Sequence, residues 1–224
     1  MKYIENLDDL LALYGQPSTA ALQKVSHILT PLYAKWIAAS QFCVLTTTGP
    51  EGTDGSPRGD AEPVVKISDA QTLLMPDWRG NNRLDSLRNI VEDGRVSLMF
   101  MVAGSNEVVR VNGRAKLTTD ANLRADFERK GRRPETVIVI KITEVYIQCS
   151  RALLRSGLWA SSEPQDLPTM GEIIADCLDC RLGALDRLQV GRNSATAGLC
   201  LQQSIQRLDD LHIGSIGHGR QRHP

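Results

Sequence analysis

Ser56 to Leu87 reads SPRGDAEPVVKISDAQTLLMPDWRGNNRLDSL, and this stretch decides the fold that we predict. It contains two short apolar runs, Val64 to Ile67 and Thr72 to Met75, with a polar turn between them. Such a pair is typical of two strands joined by a tight connection. The second run ends in Pro-Asp, and Arg79 to Arg83 then leads into a helical pattern. Two strands followed by a cationic helix start predict an anion-binding site.

The chemistry of that site depends on three arginines and one helix start. Arg58, Arg79 and Arg83 supply positive charge. A helix that begins near Asn82 would add backbone N–H groups without helical partners and the positive end of its dipole. A phosphomonoester fits such a set of donors. The residues alone leave a second interpretation open, which is a capped surface helix with solvated arginines.

The chain before this stretch predicts helices and then a strand. Leu7 to Tyr14 has helical spacing, and Ser18 and Pro31 mark two further helix starts. We expect these helices, in residues 1–40, to pack on a barrel domain of residues 41–160. Phe42 to Thr48 is rich in β-branched residues and predicts the first strand. The glycines at positions 49, 52 and 55 predict a loose connection after it.

The chain after this stretch supplies the remaining strands. Asn82 to Glu92 predicts a helix, with Leu84, Leu87, Ile90 and Val91 on its inner face. Asp120 to Lys130 predicts a second helix. Three strands are predicted at Arg95 to Val102, Glu107 to Leu117 and Thr136 to Cys149.

The predicted elements define a fold class. Six short strands with helices between them do not follow a strict βαβ alternation, which favours an α+β protein, mainly β, built on a six-stranded split β-barrel. No Gly-x-Gly-x-x-Gly follows a strand, so a Rossmann dinucleotide site is not expected.

The C-terminal part differs in character. Ser161 to Pro164 predicts a linker, and Pro168 introduces a helical segment extending to residue 190. Residues 191–224 predict a disordered tail. The Cys177-x-x-Cys180 pair lacks a second pair, so we interpret it as two cysteines on a helix and predict no metal site.

Composition limits the partners. Lysine plus arginine equals aspartate plus glutamate at 26 each, and this zero net charge favours neither nucleic acid nor an anionic membrane. The start MKYIENLDDL carries acidic residues where a signal peptide has an apolar core, so we expect a cytoplasmic protein.

Four blocks in order carry a resemblance to a known family. SPRGD, LLMPDWRGNNRLDSLRNI, VRVNGRA and CSRALLRSGLW resemble the pyridoxamine 5'-phosphate oxidase-like flavoproteins, the split-barrel FMN binders. The similarity runs from about Leu7 to Met170. The resemblance implies a homodimer with FMN at the subunit interface and oxidoreductase activity on a small molecule.

The resemblance also implies roles for particular residues. Arg58, Asn82 and Arg83 would hold the FMN phosphate and ribityl chain. The other implied contacts lie along the flavin edge (Val64, Val65 and Lys66), at the end of the neighbouring strand (Pro76 and Asp77), and in segments that approach from the partner subunit (Arg110, Arg155 and Trp159).

The sequence departs from the true pyridoxamine phosphate oxidases in one signature. Their serine-arginine-lysine motif is absent, and Gly80 to Arg83 stands in its place, so vitamin B6 oxidation does not follow from the resemblance. Two alternatives use the same barrel: a reductase that takes a deazaflavin as cosubstrate, and a non-catalytic protein that binds flavin or haem. The scarcity of histidines before the tail argues against haem.

Overall fold

The fold is described from a computed structural model that covers residues 1–160 and 166–178. The chain divides into two units, 1–162 and 163–224. In the described part of the first unit, residues 1–160, seven antiparallel strands form one sheet in the order β2-β1-β5-β6-β7-β4-β3. The strands are β1 (Phe42–Gly49), β2 (Gly52–Gly59), β3 (Lys66–Asp69), β4 (Thr72–Asp77), β5 (Arg95–Met101), β6 (Val108–Thr118) and β7 (Thr136–Gln148).

Within residues 1–160, six helices accompany the sheet. They are α1 (Leu7–Leu13), α2 (Thr19–Gln23), α3 (Pro31–Ala38), α4 (Asp85–Glu92), α5 (Ala121–Ala125) and α6 (Arg151–Ser156). No helix in the described residues is long and apolar enough to cross a bilayer. The seven-stranded sheet and its accompanying helices confirm the predicted fold class, which is α+β and mainly β.

The expected count of six strands is wrong, because Gly52–Gly59 forms a seventh strand instead of a loose connection. β2 pairs with β1 along its whole length, from Gly49 opposite Gly52 to Phe42 opposite Gly59. β2 lies at one edge of the sheet, where Pro57 is tolerated because its missing N–H faces no further strand. Pairing with β1 overrides the weak strand propensity of the glycines.

The core lies between the sheet and the elements that cover it. Leu45, Leu98, Phe100 and Ile140 are completely buried and belong to one large apolar cluster. The strand predicted at Val64 begins instead at Lys66, because Val64 and Val65 enter this core just before the ladder with β4 starts.

Among the N-terminal helices, α3 contributes the fully buried Ile37 to this core, and its partly buried Tyr33, Ala34 and Trp36 pack against the same core. α1 and α2 have no buried residue. The chain between α2 and α3 is nevertheless attached to the sheet, since Ser26 bridges to Val145 and Leu29 donates to the carbonyl of Ala70 at 2.7 Å.

Two predicted helices are shorter than expected. The helix predicted from Asn82 begins at Asp85, and Leu84 and Val91 are exposed, so neither belongs to the inner face. The helix predicted over Asp120 to Lys130 is limited to the five residues of α5.

The second unit is described only over residues 166–178, where a helix occupies 170–178. Thr169 and Glu172 cap its start reciprocally, because the Thr169 N–H donates to the Glu172 carboxylate at 2.6 Å and the Thr169 hydroxyl accepts from the Glu172 N–H. The C-terminal helical segment predicted up to residue 190 stays a prediction, because residues 161–165 and 179–190 lie outside the described part of the chain. Cys180 and the predicted tail of residues 191–224 lie outside the described residues.

Candidate functional site

The groove with the largest share of predicted site residues lies between β2, the end of β4 and the start of α4. Its volume is about 430 Å³, within the range of small-molecule sites. We call it the arginine groove. Its lining residues from β2 are Asp54, Ser56, Pro57 and Arg58, and those from the β4–α4 segment are Asp77, Trp78, Gly80, Asn81, Asn82, Arg83, Leu84, Asp85, Ser86 and Leu87.

The alternation of β2 places three polar side chains on one side of the strand. Asp54, Ser56 and Arg58 are half-buried, whereas the residues between them are exposed. This period of two is the pattern of a strand, and it directs all three side chains toward the groove. Ser86 on α4 donates to the Asp54 carboxylate, which ties the helix to β2.

Arg58 pairs with one carboxylate through Nη1, and its Nε–H group is left without an acceptor in the described residues. Its Nη1 donates to Oδ1 of Asp77 at 2.7 Å, and the two side chains are 20% and 14% exposed. The Arg58 Nε is buried and has no hydrogen-bond partner within the described residues. A buried N–H without a partner is costly, so an acceptor supplied by a ligand would stabilise this arrangement.

The start of α4 is open rather than capped. Leu84 occupies the N-cap position with φ of 62°, and no side chain caps the first turn. Asn82 also has a left-handed backbone, with φ of 60°. The helix start predicted near Asn82 is wrong by three residues, because the left-handed backbones of Asn82 and Leu84 prevent a helix there. The second interpretation, a capped helix start, is not observed either. The unpaired N–H groups of the first turn adjoin the groove, as an anion site requires.

Arg83 is the most accessible cation of the groove. Its side chain is 79% exposed, and Nε contacts the carboxylate of Asp85 two residues later. An exposed pair of this kind is weak, so Arg83 can exchange Asp85 for another anion at little cost.

The charges of the groove are mixed. Asp54, Asp77 and Asp85 line it together with Arg58 and Arg83. Each carboxylate has a donor in the described structure: a serine hydroxyl, Arg58 and Arg83 respectively. A bound anion is therefore favoured by local donors, namely the Arg58 Nε, Arg83 and the open helix start, rather than by net charge.

A second, smaller cavity continues from the groove along β4. It has a volume of about 190 Å³, and Arg58, Val64, Pro76 and Trp78 are among its lining residues. Val64 is only 4% exposed, and Val65, at 2%, does not line it. The two cavities are neighbours, because Pro57, Arg58 and Trp78 line both of them. Six residues predicted from the sequence line one or both cavities, namely Arg58, Val64, Pro76, Asp77, Asn82 and Arg83.

Lys66 and Arg79 are not brought into this region. Lys66 contacts the carbonyl of Asp126, and its Nζ lies 4.7 Å from the centre of the Phe127 ring. Arg79 is exposed and lines none of the cavities described above.

The remaining predicted residues lie elsewhere on the chain. The Arg110 guanidinium lies 5.6 Å from the centre of the Tyr146 ring and reaches Ser97 at 3.4 Å. Arg155 is exposed in the last turn of α6. Trp159 donates from its indole N–H to the carbonyl of Ser105 at 2.6 Å. Their expected approach to the site from a partner subunit stays a prediction.

Sequence reasoning missed Asp54, Ser56 and Ser86. The first two lie in β2, which was expected to be a loose connection, and the third lies on a helix considered only for its start. The polar residues at positions 54, 56 and 58 alternate in the sequence, and this period was the available signal.

Together, the fold and the groove define an α+β protein with an antiparallel sheet and an arginine-containing groove at the start of a helix. The pyridoxamine 5'-phosphate oxidase family model matches residues 29–149, more than half of the chain. The protein belongs to this family. No curated protein matches the chain.

Several solved structures resemble the fold at low identity. HupZ of group A Streptococcus is 15% identical over 52% of this chain and 91% of its own, with a TM-score of 0.44. A putative pyridoxamine 5'-phosphate oxidase from Lactobacillus delbrueckii is 18% identical over 54% and 95%, also with a TM-score of 0.44. An FMN-binding protein from Syntrophomonas wolfei is 13% identical over 52% and 83%, with a TM-score of 0.41.

Proposed function

We propose that this protein binds FMN in the arginine groove and acts as an FMN-dependent oxidoreductase on a small molecule. The single observation that carries the proposal is the convergence of Arg58, Arg83 and the uncapped start of α4 on one groove. Membership in the pyridoxamine 5'-phosphate oxidase family supports the same conclusion.

The phosphate end of the cofactor is assigned to the helix start. Arg83 and the first-turn N–H groups of α4 are donors that suit a phosphomonoester, and Asn82 extends that set. The buried Arg58 Nε offers a further donor deeper in the groove. Asp77 keeps Arg58 in place, because its carboxylate pairs with the opposite side of the same guanidinium.

The flavin ring is assigned to the region between Val64, Pro76 and Trp78. These side chains line the second cavity and offer apolar and aromatic surface beside the polar groove. When bound, FMN supplies hydride transfer, and the protein supplies orientation and exclusion of water. No acid–base pair of the chain is assigned to the reaction.

A homodimer is part of the proposal. Arg110, Arg155 and Trp159 lie on segments outside the arginine groove, and we assign them to the cofactor site of a partner subunit. A monomer in solution that binds FMN at full affinity would contradict this assignment.

The deciding experiment is the visible spectrum of the purified protein, followed by denaturation and identification of the released chromophore. Released FMN near one per subunit would support the proposal. A colourless protein that also ignores added FMN would overturn it. Titration with a deazaflavin and with haem then tests the two alternatives on the same preparation.

A further inference from the structure

Trp78 is the shared wall of three cavities. It lines the arginine groove, the second cavity beside β4, and a third cavity of about 450 Å³ whose other lining residues are Arg129, Lys130 and Arg132. The orientation of one indole ring therefore shapes all three spaces. No hydrogen bond from the Trp78 indole N–H occurs within the described residues, so the contacts of the ring itself set that orientation.

Arg129 makes a cation–π contact with this ring. Its guanidinium lies 5.6 Å from the centre of the Trp78 ring. The same guanidinium contacts the Asp60 carboxylate just beyond β2, and its Nη2 lies 3.7 Å from Glu62. A planar guanidinium can stack on an aromatic face and pair with carboxylates at its edge at the same time.

The segment that carries Arg129 is a tight hairpin. The Arg129 N–H donates to the Arg132 carbonyl at 2.8 Å, and the Arg132 N–H donates to the Arg129 carbonyl at 2.9 Å. Lys130 and Gly131, between them, have φ of 48° and 74°, the left-handed pair of a two-residue hairpin turn.

That hairpin is fixed next to Trp78 by its neighbours. The Glu135 N–H donates to the carbonyl of Asp77 at 3.2 Å, directly before Trp78. Phe127, two residues before Arg129, packs in the small apolar cluster with which Trp78 is in contact. The hairpin is thus anchored at both ends beside the ring that Arg129 contacts.

We propose that Arg129 is a positioning residue that fixes the Trp78 ring between Asp60 and the arginine groove. Asp60 holds the guanidinium by charge, and the guanidinium holds the ring by the cation–π contact. Its effect on flavin binding rests on the proposed function, whereas its effect on the ring does not.

The test is fluorine NMR of the full chain labelled with 5-fluorotryptophan. The chain has three tryptophans, and single tryptophan-to-phenylalanine variants assign their resonances. Arg129→Gln should shift and broaden the Trp78 resonance and leave those of Trp36 and Trp159 unchanged. Arg129→Lys keeps the positive charge near Asp60 and loses the planar guanidinium. It should shift the Trp78 resonance less than Arg129→Gln does.

Arg133 provides the matched control. It lies in the same loop, and its guanidinium pairs with Glu128 at 2.6 Å instead of reaching Trp78. Arg133→Gln should leave all three resonances unchanged. If Arg129→Gln does not fold, the double variant Asp60→Asn, Arg129→Gln replaces it in the same NMR measurement, because it leaves no unpaired carboxylate at position 60.

The flavin measurement is separate. The FMN dissociation constant of Arg129→Gln should rise roughly fivefold, as expected for the loss of a cation–π contact. An unchanged Trp78 resonance in a folded Arg129→Gln variant would overturn the proposal, and unchanged FMN affinity beside a moved ring would overturn its link to the groove. A wild-type protein that never binds FMN, but whose Trp78 resonance shifts in the variant, would refute the proposed function and support the role of Arg129.

Discussion

Arg58 on β2 and Asp77 at the end of β4 form an ion pair at 2.7 Å although four strands separate β2 from β4 in the order of the sheet. The sheet must curve strongly to bring these two strands together. β3 pairs with β4 only as far as Leu74, so Asp77 lies beyond the end of β3 and is accessible to Arg58. The arginine groove forms where β2 and the end of β4 come together, since residues of both line it.

The first prediction concerns the free energy of unfolding. Asp77→Asn removes the charge and leaves the largely buried Arg58 guanidinium unpaired, which should lower the free energy of unfolding by about 2 kcal/mol in urea titrations. Glu128→Gln is the control, since its exposed pair with Arg133 should contribute less than about 0.5 kcal/mol. Equal effects of the two substitutions would show that the Arg58–Asp77 pair does not join the ends of the sheet.

The second prediction separates binding from stability at Arg83. Because its side chain is 79% exposed, Arg83→Ala should leave the melting temperature almost unchanged. FMN affinity should fall by about tenfold or more, as expected for the loss of one charge-assisted contact to phosphate. Isothermal titration calorimetry measures the affinity of the apoprotein for FMN.

Arg95→Ala is the matched control for Arg83. Arg95 is exposed and pairs with Asp93 two residues away, as Arg83 does with Asp85, but it lines no wall of the arginine groove. FMN affinity should be unaffected by its removal. If Arg83→Ala and Arg95→Ala bind FMN equally well, the phosphate end has been assigned to the wrong place.

Strands could be predicted from the sequence where their own residues are rich in apolar and β-branched side chains. β5 and β7 were predicted to within one residue because β5 is a nearly continuous apolar run and β7 is rich in β-branched side chains. β2 was missed because Gly52, Gly55, Pro57 and Gly59 give no such signal, and only its full pairing with β1 makes it a strand. Long-range pairing is not visible in local composition.

Only the part of the site that has a local sequence signal was predictable. Arg58, Asn82 and Arg83 were identified from a contiguous block, and the structure does bring them to one groove. The open helix start was not predictable, because it depends on the left-handed backbone of Leu84, an unusual conformation for that residue. The contact of Arg129 with Trp78 joins segments about fifty residues apart and has no local signal.

The third prediction concerns Gly113, at a register shift between β6 and β7. A Cβ added there would collide with the carbonyl oxygen of Lys141, a backbone atom that cannot rotate away. Gly113→Ala should therefore lower the free energy of unfolding by about 3 kcal/mol or prevent folding. Gly55→Ala is the control, because a Cβ at Gly55 meets no atom within 4 Å. A Gly113→Ala protein as stable as Gly55→Ala would contradict the register of this pair.

The fourth prediction concerns the reactivity of Cys43. This residue is completely buried, and burial raises the pKa of its thiol to about 12, although the charge of Arg58 opposes the shift. Only the thiolate reacts with iodoacetamide, so Cys43 should resist alkylation at pH 8 in the native protein. Cys149 is exposed and should be alkylated first. Mass spectrometry of peptides before and after denaturation measures both, and equal native rates would contradict the burial of Cys43.

The same thiol predicts how stability depends on pH. Below its ordinary pKa of 9.0 the thiol is protonated in the folded and unfolded chain alike and contributes no pH dependence. Between pH 9 and about 12 only the unfolded chain loses the proton, so the unfolded state binds fewer protons and the free energy of unfolding falls. Urea titrations at pH 8 and pH 10 should show a smaller fall for Cys43→Ala than for the wild type. An identical fall in both proteins would mean that Cys43 ionises as readily folded as unfolded.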